Sequence, residues 1–148
     1  IICSSLCEKI KNAFKTIDII LSPAIRGIVV GYEIGRQMSL ETIFAERIDT
    51  KLILRRGFEI PKSSNVLIVE DVITTGKSAL ECAELVRNSK SNLAGYSCII
   101  DRSDKNLKIK DKIVSQVKLK IDTFRDSDLP DELKKIKPYK PGSRNLSK

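Results

Sequence analysis

The sequence predicts an α/β protein built on a doubly wound, mostly parallel sheet flanked by helices. Three observations carry this. Short apolar runs alternate with longer stretches of helical period through most of the 148 residues. The run Val66-Leu67-Ile68-Val69 is apolar without a break, as in a strand covered on both faces. Two of the strands, Ile17 to Leu21 and Val66 to Val69, lead into turns of small residues that open helices.

The elements follow in order. Ile2 to Lys15 is amphipathic, with Cys3, Leu6, Cys7, Ile10 and Phe14 on one helical face. Ile17 to Leu21 is a strand, Ser22 to Gly27 a turn punctuated by Pro23, and Ile28 to Met38 a helix. Thr42 to Glu46 is a strand. The charged segment Asp49 to Glu59 has alternating patches that could pair as a hairpin. The strand Val66 to Val69 ends at two acids, Glu70 and Asp71, and the loop beyond it opens a helix from Ala79 to Asn88. Leu93 to Ile100 and Ile113 to Ile121 read as further strands, the second through alternating Val117, Leu119 and Ile121. In such sheets ligands lie beyond the C-terminal ends of the strands. Ser22–Gly27, Arg47, Glu70–Ser78 and Asp101-Arg102 are therefore expected to converge.

Length bounds this to one domain, with an α/β core over residues 2–125 and a polar tail over 126–148. The 41% hydrophobic content suits a packed core. No apolar run nears the ~20 residues of a membrane span, so no membrane association is expected. The net charge is +8, with +6 of it in residues 101–148. A basic tail could attract nucleic acid. Its lysines alternate with acids and lack interleaved aromatics, which favours a solvated surface and no nucleic-acid partner. Histidine is absent and the four cysteines show no metal-ligand spacing, so no direct protein ligand to a metal is assigned. All four cysteines are expected to be reduced and structural, in a cytoplasmic protein. The opening residues lack a basic start and a cleavage site. They begin in mid-helix without methionine, so an N-terminal piece is expected to be missing.

Thr74, Thr75, Gly76 and Ser78, between a strand and a helix N-terminus, form a phosphate cradle. Free backbone N–H groups, hydroxyl donors and the helix dipole all favour an anion there. The spacing is not that of a Walker A loop, because the first glycine is missing. Glu70 and Asp71 change the reading. A pure phosphate site would not place two carboxylates beside the anion, whereas carboxylates accept hydrogen bonds from sugar hydroxyls. Acids and cradle together suggest a ribose 5-phosphate. Ser22–Gly27, with Arg26, offers N–H groups and a guanidinium suited to a diphosphate. Taken alone it would be an ordinary helix start. Arg47, Lys51, Arg55 and Arg56 could form a cationic lid over a leaving diphosphate, or a solvent-facing hairpin with snorkelling side chains.

Val66–Ser78 resembles the phosphoribosyl diphosphate (PRPP) motif of type I phosphoribosyltransferases, an apolar strand, two acids, two aliphatic residues and Thr-x-Gly-x-Ser/Thr. Ile43–Pro61, with Glu46-Arg47, Lys51 and Leu54-Arg55-Arg56-Gly57-Phe58, resembles one branch of the orotate phosphoribosyltransferases. So do Ile100-Asp101-Arg102 and the closing Lys140-Pro141-Gly142-Ser143-Arg144. The resemblance runs from about residue 2 to residue 144 and implies the type I phosphoribosyltransferase fold. It implies transfer of ribose 5-phosphate from PRPP to orotate, with Mg²⁺ as cofactor and a homodimer in which the mobile loop reaches the partner's site.

Residue by residue, the resemblance gives ribose and 5-phosphate binding to Glu70, Asp71, Val72, Ile73, Thr74, Thr75, Gly76, Lys77 and Ser78. It gives diphosphate binding to Ala24, Ile25, Arg26, Arg47 and Lys51, orotate binding to Thr74 and Arg102, and catalytic roles to Lys51 and Asp71. Arg102 also reads directly as a planar fork for a carboxylate, or else as a surface ion pair with Asp101 or Asp104. The sequence departs from the branch in three ways. The N-terminal hood over the base is absent, the mobile loop has no histidine, and a cysteine pair is missing near Asp128–Lys137. A purine or uracil phosphoribosyltransferase, or a PRPP-binding regulator on the same fold, stand as alternatives.

Overall fold

A computed structural model describes residues 1–122, 124 and 126–137. The tail segment Lys140–Arg144, like Pro138, lies outside the described residues. The elements are α1 (Ile2–Ala13), β1 (Ile19–Pro23), α2 (Arg26–Met38), β2 (Glu41–Ile48), β3 (Lys51–Leu54), β4 (Asn65–Ile73), α3 (Lys77–Asn88), β5 (Asn92–Asp101) and β6 (Ile113–Lys118). A 3-10 turn, Asp126–Asp128, and a four-residue helix, α4 (Asp131–Lys134), follow.

One six-stranded sheet runs in the order β3-β2-β1-β4-β5-β6. All neighbours are parallel except β2 and β3, which form the antiparallel hairpin. Buried apolar residues pack on both faces. Ile20, Leu67 and Val69 meet Leu6, Ile10, Val30 and Ile34 on the α1/α2 side. Leu21, Ile43, Val66 and Ile68 meet Ala79, Cys82 and Val86 on the α3 side. The α2 crossover leads from β1 to β2, and the α3 crossover leads from β4 the opposite way to β5. The strand order therefore reverses between β1 and β4. In doubly wound sheets ligands lie at such a switch point, beyond the C-terminal ends of the strands.

Helix α2 sits unusually close to the sheet. Gly27, Gly31 and Gly35 recur every fourth residue and bring one face of the helix inward. A Cβ on Gly31 would run into Ser22 Oγ, and one on Gly27 would lie 3.1 Å from Val69 O.

Several expected boundaries shift. β4 does not stop before the acids: Glu70, Asp71, Val72 and Ile73 belong to the strand. Its last residues pair with β5, as Glu70 opposite Cys98, Val72 opposite Ile100 and Ile73 opposite Asp101. β1 likewise takes in Ser22 and Pro23, both buried, and α2 begins at Arg26, so the expected loop shrinks to Ala24-Ile25. α1 ends at Ala13 because Phe14 is extended (φ −123°, ψ 132°). α3 starts at Lys77, two residues early. β6 ends at Lys118, opposite Asp101, where β5 also ends.

Candidate active site

The strand–turn–helix units β1–α2 and β4–α3 flank the switch point, and both helices begin without a side-chain cap. Apart from Ile28 N–H, which donates to Ile25 O at 3.2 Å, their first-turn N–H groups are thus available to an anion beyond the strand ends. Gly76 is the N-cap of α3 in the left-handed region (φ 71°). Any Cβ there would also stand 2.8 Å from Ile109 Cδ1, so two independent constraints select glycine. Thr74, Thr75 and Lys77 are exposed, while Ser78 is half-buried. The turn is open to a ligand and the chain beneath it is packed.

The two acids differ in surroundings. Glu70 continues the Val66–Ile68 row on the α3 face, and Asp71 continues the Leu67–Val69 row on the α2 face. Burial pushes Glu70 up to about 7, and the Asp71 carboxylate adds to the rise. Burial also raises the thiols of Cys82 and Cys98, and the Glu70 charge contributes to both. Glu70 is therefore half-buried between α3 and β5, in a setting that disfavours its charge until a ligand compensates. Cys82, Cys98 and Cys7 are buried and Cys3 is partly so, all as free thiols.

In the β1–α2 turn the Ala24–Ile25 peptide is cis, and Ala24 N–H donates to Ala45 O at 2.7 Å. Arg26 is exposed at the first position of α2. Arg102 lies where β5 ends beside β4, its N–H donating to Ile73 O at 2.8 Å. Its ion-pair reading is overturned. Asp101 pairs with Lys118 Nζ at 3.2 Å and accepts from Ser103 N–H, and Asp104 accepts from Asn106. Burial works against the Asp101 charge, but Ser103 and Lys118 outweigh it and hold the carboxyl below its usual range. Arg102 Nε is buried with no partner among the described residues.

The hairpin does not bring its cations together. Arg47 lies across from Leu52 on the α3 face, whereas exposed Lys51 lies across from Ile48 on the other face. Arg47 donates to Glu81 Oε2 at 2.6 Å and to Thr50 O at 2.7 Å. Arg56 forks onto Glu46 at 2.9 and 3.2 Å, with Arg55 at 3.8 Å from the same carboxylate. Sequence reasoning missed Glu81, and the glycine row of α2, although the four-residue spacing was visible.

Among the described residues no three His, Cys, Asp or Glu side chains gather to hold a metal, and no helix is long and apolar enough to cross a membrane.

A mostly parallel sheet whose strand order reverses between two uncapped helix starts defines a doubly wound α/β protein. Residues 1–128 match the phosphoribosyl transferase domain. The orotate phosphoribosyltransferase of Methylorubrum populi is 45% identical over 99% of this chain and 76% of its own length. This chain therefore belongs to the phosphoribosyltransferase family, in its orotate phosphoribosyltransferase branch. Solved structures similar in fold include an adenine phosphoribosyltransferase from Thermoanaerobacter pseudethanolicus (TM-score 0.64, 18% identity, 78% and 79% of the two chains). An orotate phosphoribosyltransferase from Aeropyrum pernix is equally similar (TM-score 0.63, 17% identity, 78% and 71%). Backbone similarity thus shows the fold and does not choose the base.

Proposed function

We propose that this chain transfers ribose 5-phosphate from PRPP to orotate, releasing diphosphate and forming orotidine 5′-monophosphate in pyrimidine synthesis. The observation that carries it is the acid pair and open hydroxyl turn at the switch point, in a chain 45% identical to an orotate phosphoribosyltransferase.

The turn Thr74–Ser78 holds the 5-phosphate through the N–H groups opening α3, with the hydroxyls of Thr74, Thr75 and Ser78 as further donors. Val72 and Ile73 supply the backbone leading into it. Glu70 and Asp71 accept the ribose hydroxyls. As the bond from C1 to diphosphate breaks, the ring gains cationic character, and the Asp71 carboxylate favours it electrostatically. Ala24, Ile25 and Arg26 receive the diphosphate at the N-terminus of α2, with Arg47 reaching it from the end of β2 and Lys51, on the opposite face of the hairpin, reaching it only after rearrangement. Lys51 is the cation assigned to leaving-group stabilisation, which requires the hairpin to move. Arg102, with a buried N–H awaiting an acceptor, suits the orotate carboxylate as a planar fork, and Thr74 lines the base.

Mg²⁺ needs few protein ligands, because it fills its shell largely from water and substrate oxygens. This fits a site where Glu70 and Asp71 lie on opposite faces of β4 and no three ligating side chains gather among the described residues. The ion would be held mainly by the substrate oxygens that these two acids orient, with no direct protein ligand assigned. When bound, the ion offsets charge on the diphosphate and ribose oxygens. The resemblance supports a homodimer, and four free thiols support a reducing, cytoplasmic setting.

The test is a base panel. With PRPP and Mg²⁺, orotate should yield nucleotide and diphosphate, and Asp71→Asn should keep the fold while losing most turnover. Turnover of adenine, hypoxanthine or uracil but not orotate would reject the assignment. Salt-sensitive RNA or DNA binding with no turnover of any base would do the same in favour of a regulator.

A further inference from the structure

Arg47 stands where three segments of the site meet. It extends the Ile43–Ala45 row of β2 towards α3. Its Nη2 donates to Glu81 on α3, and its Nη1 to Thr50 O in the hairpin turn. Two residues earlier, Ala45 O accepts the Ala24 N–H of the β1–α2 turn. Glu81 also has Lys77 Nζ at 4.0 Å, in the first turn of α3 beside Gly76.

Among the described residues, Arg47–Glu81 is the one ion pair that joins the hairpin to α3. Arg55 and Arg56 pair with Glu46 inside the hairpin, and Lys77–Glu81 stays inside the helix. The Arg47 and Glu81 side chains are 31% and 21% exposed, against 63% for Arg56. Solvent therefore screens Arg47–Glu81 less, and its short charge-assisted bond holds the guanidinium more firmly. A guanidinium has five N–H donors. The two bonds above leave three for a ligand.

We propose that Glu81 is a positioning residue for phosphoribosyl transfer. It fixes the rotamer of Arg47 for the diphosphate and couples the hairpin to the helix that holds the 5-phosphate. Glu81 need not touch substrate. It acts by removing the rotational freedom of a long cationic side chain before the diphosphate arrives, so that less is lost on binding. This rests on the proposed function, which places the diphosphate near Arg47.

The experiment is a double-mutant cycle on the full chain with Glu81→Gln, Arg47→Gln and both together, with the isosteric Gln keeping the shape of α3. Steady-state constants are measured for PRPP and orotate, with the melting temperature as the structural control. Glu81→Gln should raise KM for PRPP roughly tenfold, about 1.4 kcal/mol. The orotate KM and the melting temperature should be nearly unchanged. In the Arg47→Gln background the second substitution should add little, because its effect runs through Arg47. The proposal is overturned if Glu81→Gln leaves the PRPP constant at the wild-type value. It is equally overturned if the two effects multiply, or if both substrates' constants and the melting temperature shift together. If the wild-type chain turns over no orotate, the proposed function fails separately, and calorimetric PRPP affinities of the four proteins decide the role of Glu81 by the same criteria.

Discussion

At the scale of single residues, the acid pair is where chemistry and packing compete. Glu70 is held near 7 by burial and by Asp71, whereas an unfolded glutamate titrates at about 4.3. The folded state therefore binds the Glu70 proton more tightly between these values. Stability from this group is full below about 4.3 and is lost as pH rises to about 7 and beyond. The loss is at most on the order of 4 kcal/mol. Urea unfolding at pH 5 and pH 8 should show the wild type losing stability relative to Glu70→Gln, and identical slopes would contradict this. Asp18, Glu33 and Glu46 are shifted downward by hydrogen bonds and charged partners. They act below this window, at the acid end. The acids themselves were legible in the sequence, as a pair at the end of an apolar run just before a hydroxyl-rich turn. The setting of Glu70 was not, because Cys82 and Cys98, its neighbours in the fold, are 12 and 28 positions away in the chain.

Elements carry the next level of constraint, and α2 shows it best. Propensity alone says that Gly31→Ala in mid-helix should stabilise by about 1 kcal/mol. The structure reverses the sign. Ser22 is fully buried in β1, its Oγ lies where the new methyl would go, and the strand pairs on both sides. Overpacking costs of about 1–3 kcal/mol should win, which a lowered melting temperature would show. An unchanged or raised value would mean that α2 stands off the sheet. Strand and helix types were readable from apolar runs and helical faces, but ends were not. β4 runs through Glu70 and Asp71 because β5 offers partners as far as Asp101, and β6 stops at Lys118 for want of more β5. Register with a distant strand sets such ends, and a local window does not contain it. A hairpin was expected within Asp49–Glu59, but Lys51–Leu54 pairs back onto β2, so the hairpin begins upstream of the expected segment. Its two faces explain why Arg47 and Lys51 diverge, since residues alternate sides along each strand.

For the molecule as a whole, topology does what no local motif can. Two ordinary strand–turn–helix units become neighbours because the strand order reverses between them, placing two uncapped helix starts on either side of the switch point. The expected gathering at the C-terminal ends of the strands follows from parallel architecture, and Arg102 joins it by hydrogen-bonding the end of β4. The hairpin cations could not be placed in advance, because Glu81 and Glu46 compete for them through side-chain contacts invisible to pattern. On the proposed function, Glu70-Asp71 and Thr74–Ser78 grip the two ends of one phosphorylated sugar. A crystal structure of the chain soaked with PRPP and Mg²⁺ tests it most directly. The 5-phosphate should lie on the N–H groups of the Thr74–Ser78 turn and the ribose hydroxyls on the two carboxylates. Density for PRPP elsewhere, with the turn empty and both acids turned away from it, would contradict it.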